Sequence, residues 1–495
     1  MTTTESLEMT LSLREKNGAR LVPEECAYFN IAMRNGGARE AQFFDLENNS
    51  ETPVYSLYDR SGKKIVSVTH QTMMNRMSGG GMGEPMPEPP SIRTLGAGKT
   101  VETFLDLWNY MAPPPKGAYE LGATDRLPSG QPDSVESNRL RFEIVDAQVR
   151  DVAFGYEDIQ RTSSLLLWVA VPEGNGQPLL LARLSTLDMH RVAQWSGNPL
   201  GPIDPNARLA IAGKPIEGTP NAIGWLAAVE GQHVQLIQHF RTNPNWRSGK
   251  IALPVSDPHP VPGFPDREYA VFLATGTSPH GAALAGAQVH PEGSDAPPWT
   301  VPLDAAPTYS ACAFGKSGPI ALLFVSTQNG QERLSRMDVE ADGKVVAPQK
   351  TVRTTSNQTL AIAVDQRPGN PQQFVILESD PAHPERLLLV HVPLSGEPRV
   401  QEIPHQAGWP AGPQGPAHAR SVAMQIAWDG RPVIALTTDS GRNFAGVPGD
   451  GSLLEIGSLS NGSRAIALHV AALRRSIEFG AFTDRGKLQF LGGLH

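Results

Sequence analysis

The groups from which this 495-residue chain could build a reactive site are 13 histidines, two cysteines, 50 acidic and 42 basic side chains. Their spacing decides what they can do. No histidine pair has the H-E-x-x-H spacing of a zinc helix, and the cysteines make no C-x-x-C. Cys26 and Cys312 are too far apart in sequence to read as a disulfide framework and are taken as free thiols. GKSGP at 315 departs from the nucleophile elbow because its second glycine falls one position early. His233 and His239 fall on one face of an extended strand, but a rise of about 3.3 Å per residue parts them by roughly 20 Å, too far for one ion. Neither a P-loop nor a dinucleotide fingerprint occurs. The expectation is therefore no catalytic set, no metal centre and no cofactor.

Three further groupings have chemistry of their own. Met73, Met74, Met77, Met82 and Met86 crowd the glycine- and proline-rich segment 71–90 beside His70. Thioethers can ligate Cu(I), and methionine also suits adaptable protein contacts. The segment reads as a mobile loop, a partner-contacting loop or a metal loop, in that order. Arg208, Arg267, Arg420 and Arg464 stand immediately before or within four residues of short alanine-containing strands. They could gather at one mouth to receive a substrate carboxylate, or simply pair with neighbouring acids. Finally, two proline-rich connections, LPVSDPHPVPGFP (253–265) and IPHQAGWPAGPQGP (403–416), each hold one aromatic, Phe264 and Trp409, with His259 and His405 nearby. Proline lowers the entropy lost when a loop binds, and an exposed aromatic makes an anchor. The other reading is that each aromatic pins its own loop.

These residues need elements to position them, and the sequence supplies a repeat. LWVAV (167), RLAIA (208), YAVFLA (269), SACAF (310), LAIAV (360), VAMQIA (422) and RAIAL (464) recur roughly 50 residues apart. Alanine suits strands that converge on a common axis. The later units continue with a second strand and a tight polar turn, as in IALLFVSTQNG (320–330) and QFVILESDP (373–381), then a third strand. The pattern resembles β-propeller repeats, and seven units imply seven blades. Thr437, Asp439, Gly441, Asn443 and Phe444 resemble a degenerate Asp-box of sialidase-like propellers. The last unit holds only about three strands, so 148–156 is expected to complete it and close a ring spanning 148–495.

Residues 1–147 read differently. Leu7, Met9, Leu11 and Leu13 alternate with polar residues, the period of a half-buried strand. Further strands are expected at 26–34, 54–58, 64–69, 101–107, 118–122 and 139–145, with a hairpin at Arg60, Ser61 and Gly62. LEMTLSLREKNGARLVPEECAYFNIAMRN, YSLYDRSGKKI, LGAGKTVETFLDL, PKGAYEL and RLRFEIVDA resemble immunoglobulin-like domains that bacteria place before larger proteins. The implied fold class is all-β: an Ig-like β-sandwich (1–147, with the 71–90 loop), then a seven-bladed β-propeller (148–495). Glycine and proline, 48 and 44 residues, agree with a turn-rich chain of short elements.

A formal charge of −8 argues against a nucleic-acid partner. The longest apolar run, 165–171, is far short of a membrane span, and the opening residues lack a secretory pattern. A cytoplasmic protein is expected, a mature secreted one being compatible. The expected function is a non-catalytic interaction or assembly scaffold with a protein partner, its binding residues drawn from Phe264, Trp409, His259, His405, Arg208 and Arg464. The alternative is a carbohydrate-binding or sialidase-like propeller.

Overall fold

The computed structural model describes residues 7–13, 20–22, 27–46, 53–69, 91–111, 113–128, 134–156, 163–174, 176–186, 203–212, 222–240, 246–265, 269–290, 296–315, 318–365, 367, 371–403, 421–437, 442–447, 454–455, 459, 464–472, 477–486 and 488–494. The fold is all-β, and its one helical turn among them is Leu107–Tyr110, capped by Asp106, whose carboxylate accepts from the Trp108 and Ala27 amides at 3.1 Å each. No helix among the described residues is long and apolar enough to cross a membrane. The chain divides into two compact units. The first comprises Met1–Gln148, Val171–Gln177 and Asp188–Pro199; the second comprises Val149–Ala170, Pro178–Leu187 and Leu200–His495.

In the first unit a three-stranded sheet orders Leu7–Leu13, Tyr28–Asn35 and Thr100–Asp106. A larger sheet orders Arg20–Leu21, Leu140–Ile144, Gly117–Arg126, Val54–Asp59 and Lys64–Val68, with Ser134–Glu136 also on Gly117–Arg126. Phe29, Ile31, Tyr55, Leu57, Leu121 and Phe142 form one buried core, the inward half of each alternating strand. The hairpin at Arg60 closes as its sequence requires: Gly62 takes φ +81° and Asp59 accepts from the Ser61 and Lys63 amides. Ala41–Phe44 pairs with Ile92–Leu95, an addition the sequence pattern did not announce.

The second unit is propeller-like: among the described residues, seven sheets follow one another in chain order, and within each the successive strands are neighbours. The first holds Ala147–Tyr156, Ser163–Pro172 and Leu179–Thr186. The second runs through Arg208–Ile211, Ala222–Glu230, His233–Phe240 and Trp246–Arg247, with Ile251–Ala252 also on its third strand. The third comprises Ser256–Pro260, Ala270–Ser278, Gly281–Val289 and Trp299–Pro302. The fourth comprises Tyr309–Phe314, Ile320–Gln328, Gln331–Val339 and Val345–Thr355. The fifth comprises Gln358–Asp365, Gln373–Asp380, His383–Pro393 and Arg399–Ile403. The sixth comprises Ser421–Ile426, Pro432–Thr437, Asn443–Gly446 and Leu454–Glu455. The seventh comprises Ala465–Ala472, Ile477–Thr483 and Leu488–Leu494.

Two of the alanine-bearing segments stand one strand further out than expected. LWVAV and YAVFLA lie in the second strands of their sheets, and the true first strands are Ala147–Tyr156 and Ser256–Pro260. A second strand is covered on both faces, so it is as apolar as a first one. Ser256–Pro260 was hidden by its two prolines and by Asp257, whose φ of +49° breaks the regular pattern. The strand expected to complete the last sheet likewise stands elsewhere: 148–156 is hydrogen-bonded into the first sheet, beside Ser163–Pro172.

Side chains join each sheet to the next. Asp151 accepts from the Leu209 amide at 2.6 Å, first sheet to second. Cys312 lies fully buried with its Sγ donating to the Pro262 and Gly263 carbonyls, third to fourth, and its thiol is pushed up by burial. Arg336 donates to the Pro393 carbonyl at 2.8 Å, fourth to fifth; Arg367 donates to the Trp428 carbonyl at 3.3 Å, fifth to sixth. The Leu468 amide donates to the Ser421 hydroxyl, seventh to sixth. Seventh and first sheets also meet, with Phe154 on His469 and Trp168 on Phe482 at ring-centroid distances of 5.8 and 5.3 Å.

Candidate functional site

Antiparallel order puts the start of each first strand, the turn between second and third strands, and the end of the fourth strand at one end of a sheet. Arg208 opens the first strand of the second sheet and reaches the opening of the third, where it pairs with Asp257 at 2.8 Å and donates to the Pro258 carbonyl at 3.0 Å. The openings of neighbouring first strands therefore share one rim. Desolvation pushes the Asp257 carboxyl up, but Arg208 and His259 outweigh it and hold the group below its usual range.

Among the described residues, the richest polar grouping on this rim lies between the fourth and fifth sheets. Cross-strand register puts Tyr309, Val325 and Leu334 in one row and Thr327 with Glu332 in the next, all on the face that meets the fifth sheet. Apolar contacts of Val325, Leu334, Phe374 and Ile376 fill the inner part of the seam. At the rim the seam turns polar. Glu378 is fully buried; Arg353 donates to its Oε1 at 2.6 Å and Asn357 to its Oε2 at 3.0 Å. Glu332 accepts on Oε2 from both the amide and the hydroxyl of Thr359, at 2.9 and 2.5 Å. Burial raises the Glu332 carboxyl above the ordinary glutamate range, against those two hydrogen bonds and reinforced by the Glu378 charge. Tyr309 is 38 % exposed at the same rim, and burial of its ring together with Glu332 raises its phenol. The rim thus offers an accessible phenol beside a carboxyl that holds its proton more readily than usual, backed by an internally satisfied Arg–Glu pair.

The residues singled out from sequence fall differently. Phe264 is not presented to solvent: it is fully buried, edge-to-face on Phe272 at 5.7 Å, in the core shared by the second and third sheets. Its prolines shape a loop that the aromatic pins from inside. His259 is exposed, with Nε2 3.3 Å from Asp257 Oδ2. Arg464 stands exposed just before the seventh sheet, its amide and carbonyl both bonded to Asp484. Arg208 and Arg353 each meet a different carboxylate, in different seams. Trp409, His405, Arg267, Arg420, Cys26, the 71–90 segment, and Asp439 with Gly441 of the Asp-box-like turn lie outside the described residues. Of that turn, Thr437 donates to Asn443 Oδ1 at 2.8 Å inside the sixth sheet. Among the described residues no group of three or more metal-ligating side chains comes together.

None of Tyr309, Glu332, Arg353, Asn357, Thr359 and Glu378 stood out in the sequence, because each belongs to a different strand or connection. The available signal was the polar run TVRTTSNQT between two apolar strands, together with a lone glutamate at the start of ERLSRMDV.

Comparison with known proteins finds no matching family model and no matching curated protein. Solved structures of similar shape include the Dos1 propeller, 9 % identical over 70 % of this chain and 81 % of that one, TM-score 0.39. AofleA from Arthrobotrys oligospora is 13 % identical over 64 % of this chain and 88 % of its own, TM-score 0.40. A subtype N11 neuraminidase-like protein from A/flat-faced bat/Peru is 9 % identical over 63 % and 91 %, TM-score 0.35. At such identities the likeness concerns shape, and the functional reading rests on the rim itself.

Proposed function

We propose that this chain is a non-catalytic interaction and assembly protein, an Ig-like sandwich followed by a seven-bladed propeller whose rim contacts a protein partner. The observation that carries the reading is the pairing of the rim arginines. Arg208 and Arg353 are each bonded to a carboxylate of the neighbouring sheet, so they brace the frame and, among the described residues of the rim, leave Tyr309 as an accessible aromatic. An amphipathic aromatic on a rigid support is the usual anchor of a protein contact. Affinity capture from the native source, compared between the unaltered chain and Tyr309→Ala, tests it: the partner should be lost while the melting temperature holds.

A glycan-binding reading draws on the same rim, since a phenol beside a protonatable carboxyl can hydrogen-bond sugar hydroxyls. It predicts retention on immobilised saccharides, lost in Glu332→Gln. Absence of retention together with partner loss in Tyr309→Ala favours the first reading.

A further inference from the structure

The seam between the fourth and fifth sheets holds a carboxylate with one oxygen still to be engaged. Glu332 accepts the amide and the hydroxyl of Thr359 on the same atom, Oε2, whose two lone pairs are thereby filled. Oε1 is left. Among the described residues no cation pairs with this carboxylate. Arg353 is committed to Glu378 Oε1 at 2.6 Å, and Arg333, next along the chain, donates to Gln328 Oε1 at 2.7 Å and to Thr351 Oγ1 at 2.8 Å.

The surroundings leave room for a guest. Thr327 and Thr355 stand directly opposite Glu332 on the strands either side of it, so the carboxyl is flanked by short uncharged side chains. Tyr309 supplies a wall of another kind. Its ring is 38 % exposed, and it is close enough for the Glu332 charge to act on its phenol. Among the described residues neither a ring nor a cation stacks on it.

A carboxylate beside an open aromatic ring selects a cation, which the charge attracts and the ring quadrupole holds. Of the two strongly basic side chains, lysine matches the acceptor. A guanidinium fork is built to meet both oxygens of a carboxylate, and here Oε2 is already taken; an ammonium needs only one.

We propose that a lysine of the protein partner seats its ammonium on Glu332 Oε1 against the ring of Tyr309, an inference that rests on the rim as a protein contact and names the chemistry it recognises. A fluorescein-labelled tetralysine peptide, followed by anisotropy with the full chain, is the probe. It should bind the unaltered chain more tightly than tetra-arginine does. Glu332→Gln should weaken it roughly tenfold, as loss of a hydrogen bond to a charged group does, and Tyr309→Leu should weaken it to a smaller degree. Thr327→Lys sets this chain's own ammonium across from Glu332 at an exposed position. It should block the probe at an unchanged melting temperature, which keeps the test independent of how Glu332→Gln folds. Tetralysine held equally by either of these two variants, or tetra-arginine bound as tightly as tetralysine, would overturn the inference. So would a partner lost in Tyr309→Ala yet recovered in full by Glu332→Gln, a result that leaves the contact reading standing. Equal recovery by all three chains would overturn both.

Discussion

Phe264 shows how a side chain's surroundings decide its role. In sequence it is an aromatic among prolines; in the fold it is a fully buried ring against Phe272. Phe264→Ala should therefore cost about 3–5 kcal/mol of stability, the range for emptying an aromatic site in a core, and leave partner capture from folded protein unchanged. A denaturant melt beside a capture assay measures both. The aromatic's identity was legible in the sequence and its direction was not, because a proline-rich loop fixes its backbone without revealing which side faces the core. Tyr309 is the converse. It opens a strand whose last four residues are buried, yet it is partly accessible because it sits at the strand's first position, on the rim.

At the scale of elements, strands with regular alternation or an apolar run could be read directly, and those whose position depends on neighbours could not. Leu7–Leu13 and Ala465–Ala472 fall where their patterns put them. Ser256–Pro260 is a strand only because Ala270–Ser278 supplies its partners. The Arg353–Glu378 pair likewise exists only where two sheets meet, 25 residues apart in sequence. Its energetics follow from burial. Arg353→Met strands a fully buried carboxylate and should destabilise by about 3–5 kcal/mol, whereas the double variant Arg353→Met with Glu378→Leu should recover most of that loss, since removing both charges of a buried pair is often neutral. Thermal or chemical melts of the three variants test this. A double variant no more stable than Arg353→Met would show that the pair does more than brace the seam.

For the second unit as a whole, the joint between the seventh and first sheets carries the particular burden of bringing together parts remote in sequence. His469 lies there, buried beside Phe154, over Gly480, where any Cβ would fall 2.5 Å from its Nδ1. Burial, with Arg183 adding to it, lowers this histidine from 6.5 to about 3. The unfolded chain thus binds a proton that the folded one refuses, so stability is complete above the unfolded value and falls as pH drops from about 6.5 toward 3. The loss should amount to roughly 3–5 kcal/mol at the acid end and should be absent from the profile of His469→Leu. Parallel melts across that range give the comparison.

If the rim serves contact rather than turnover, Tyr309 is its anchor. Quantitative affinity capture from the native source, run with the unaltered chain and with Tyr309→Ala at matched folded concentration, tests it most directly. A recurring partner protein is expected, its recovery falling by more than tenfold in the variant, as loss of about 2 kcal/mol from a hot-spot aromatic requires, at an unchanged melting temperature. Equal recovery of that partner by both chains would contradict it.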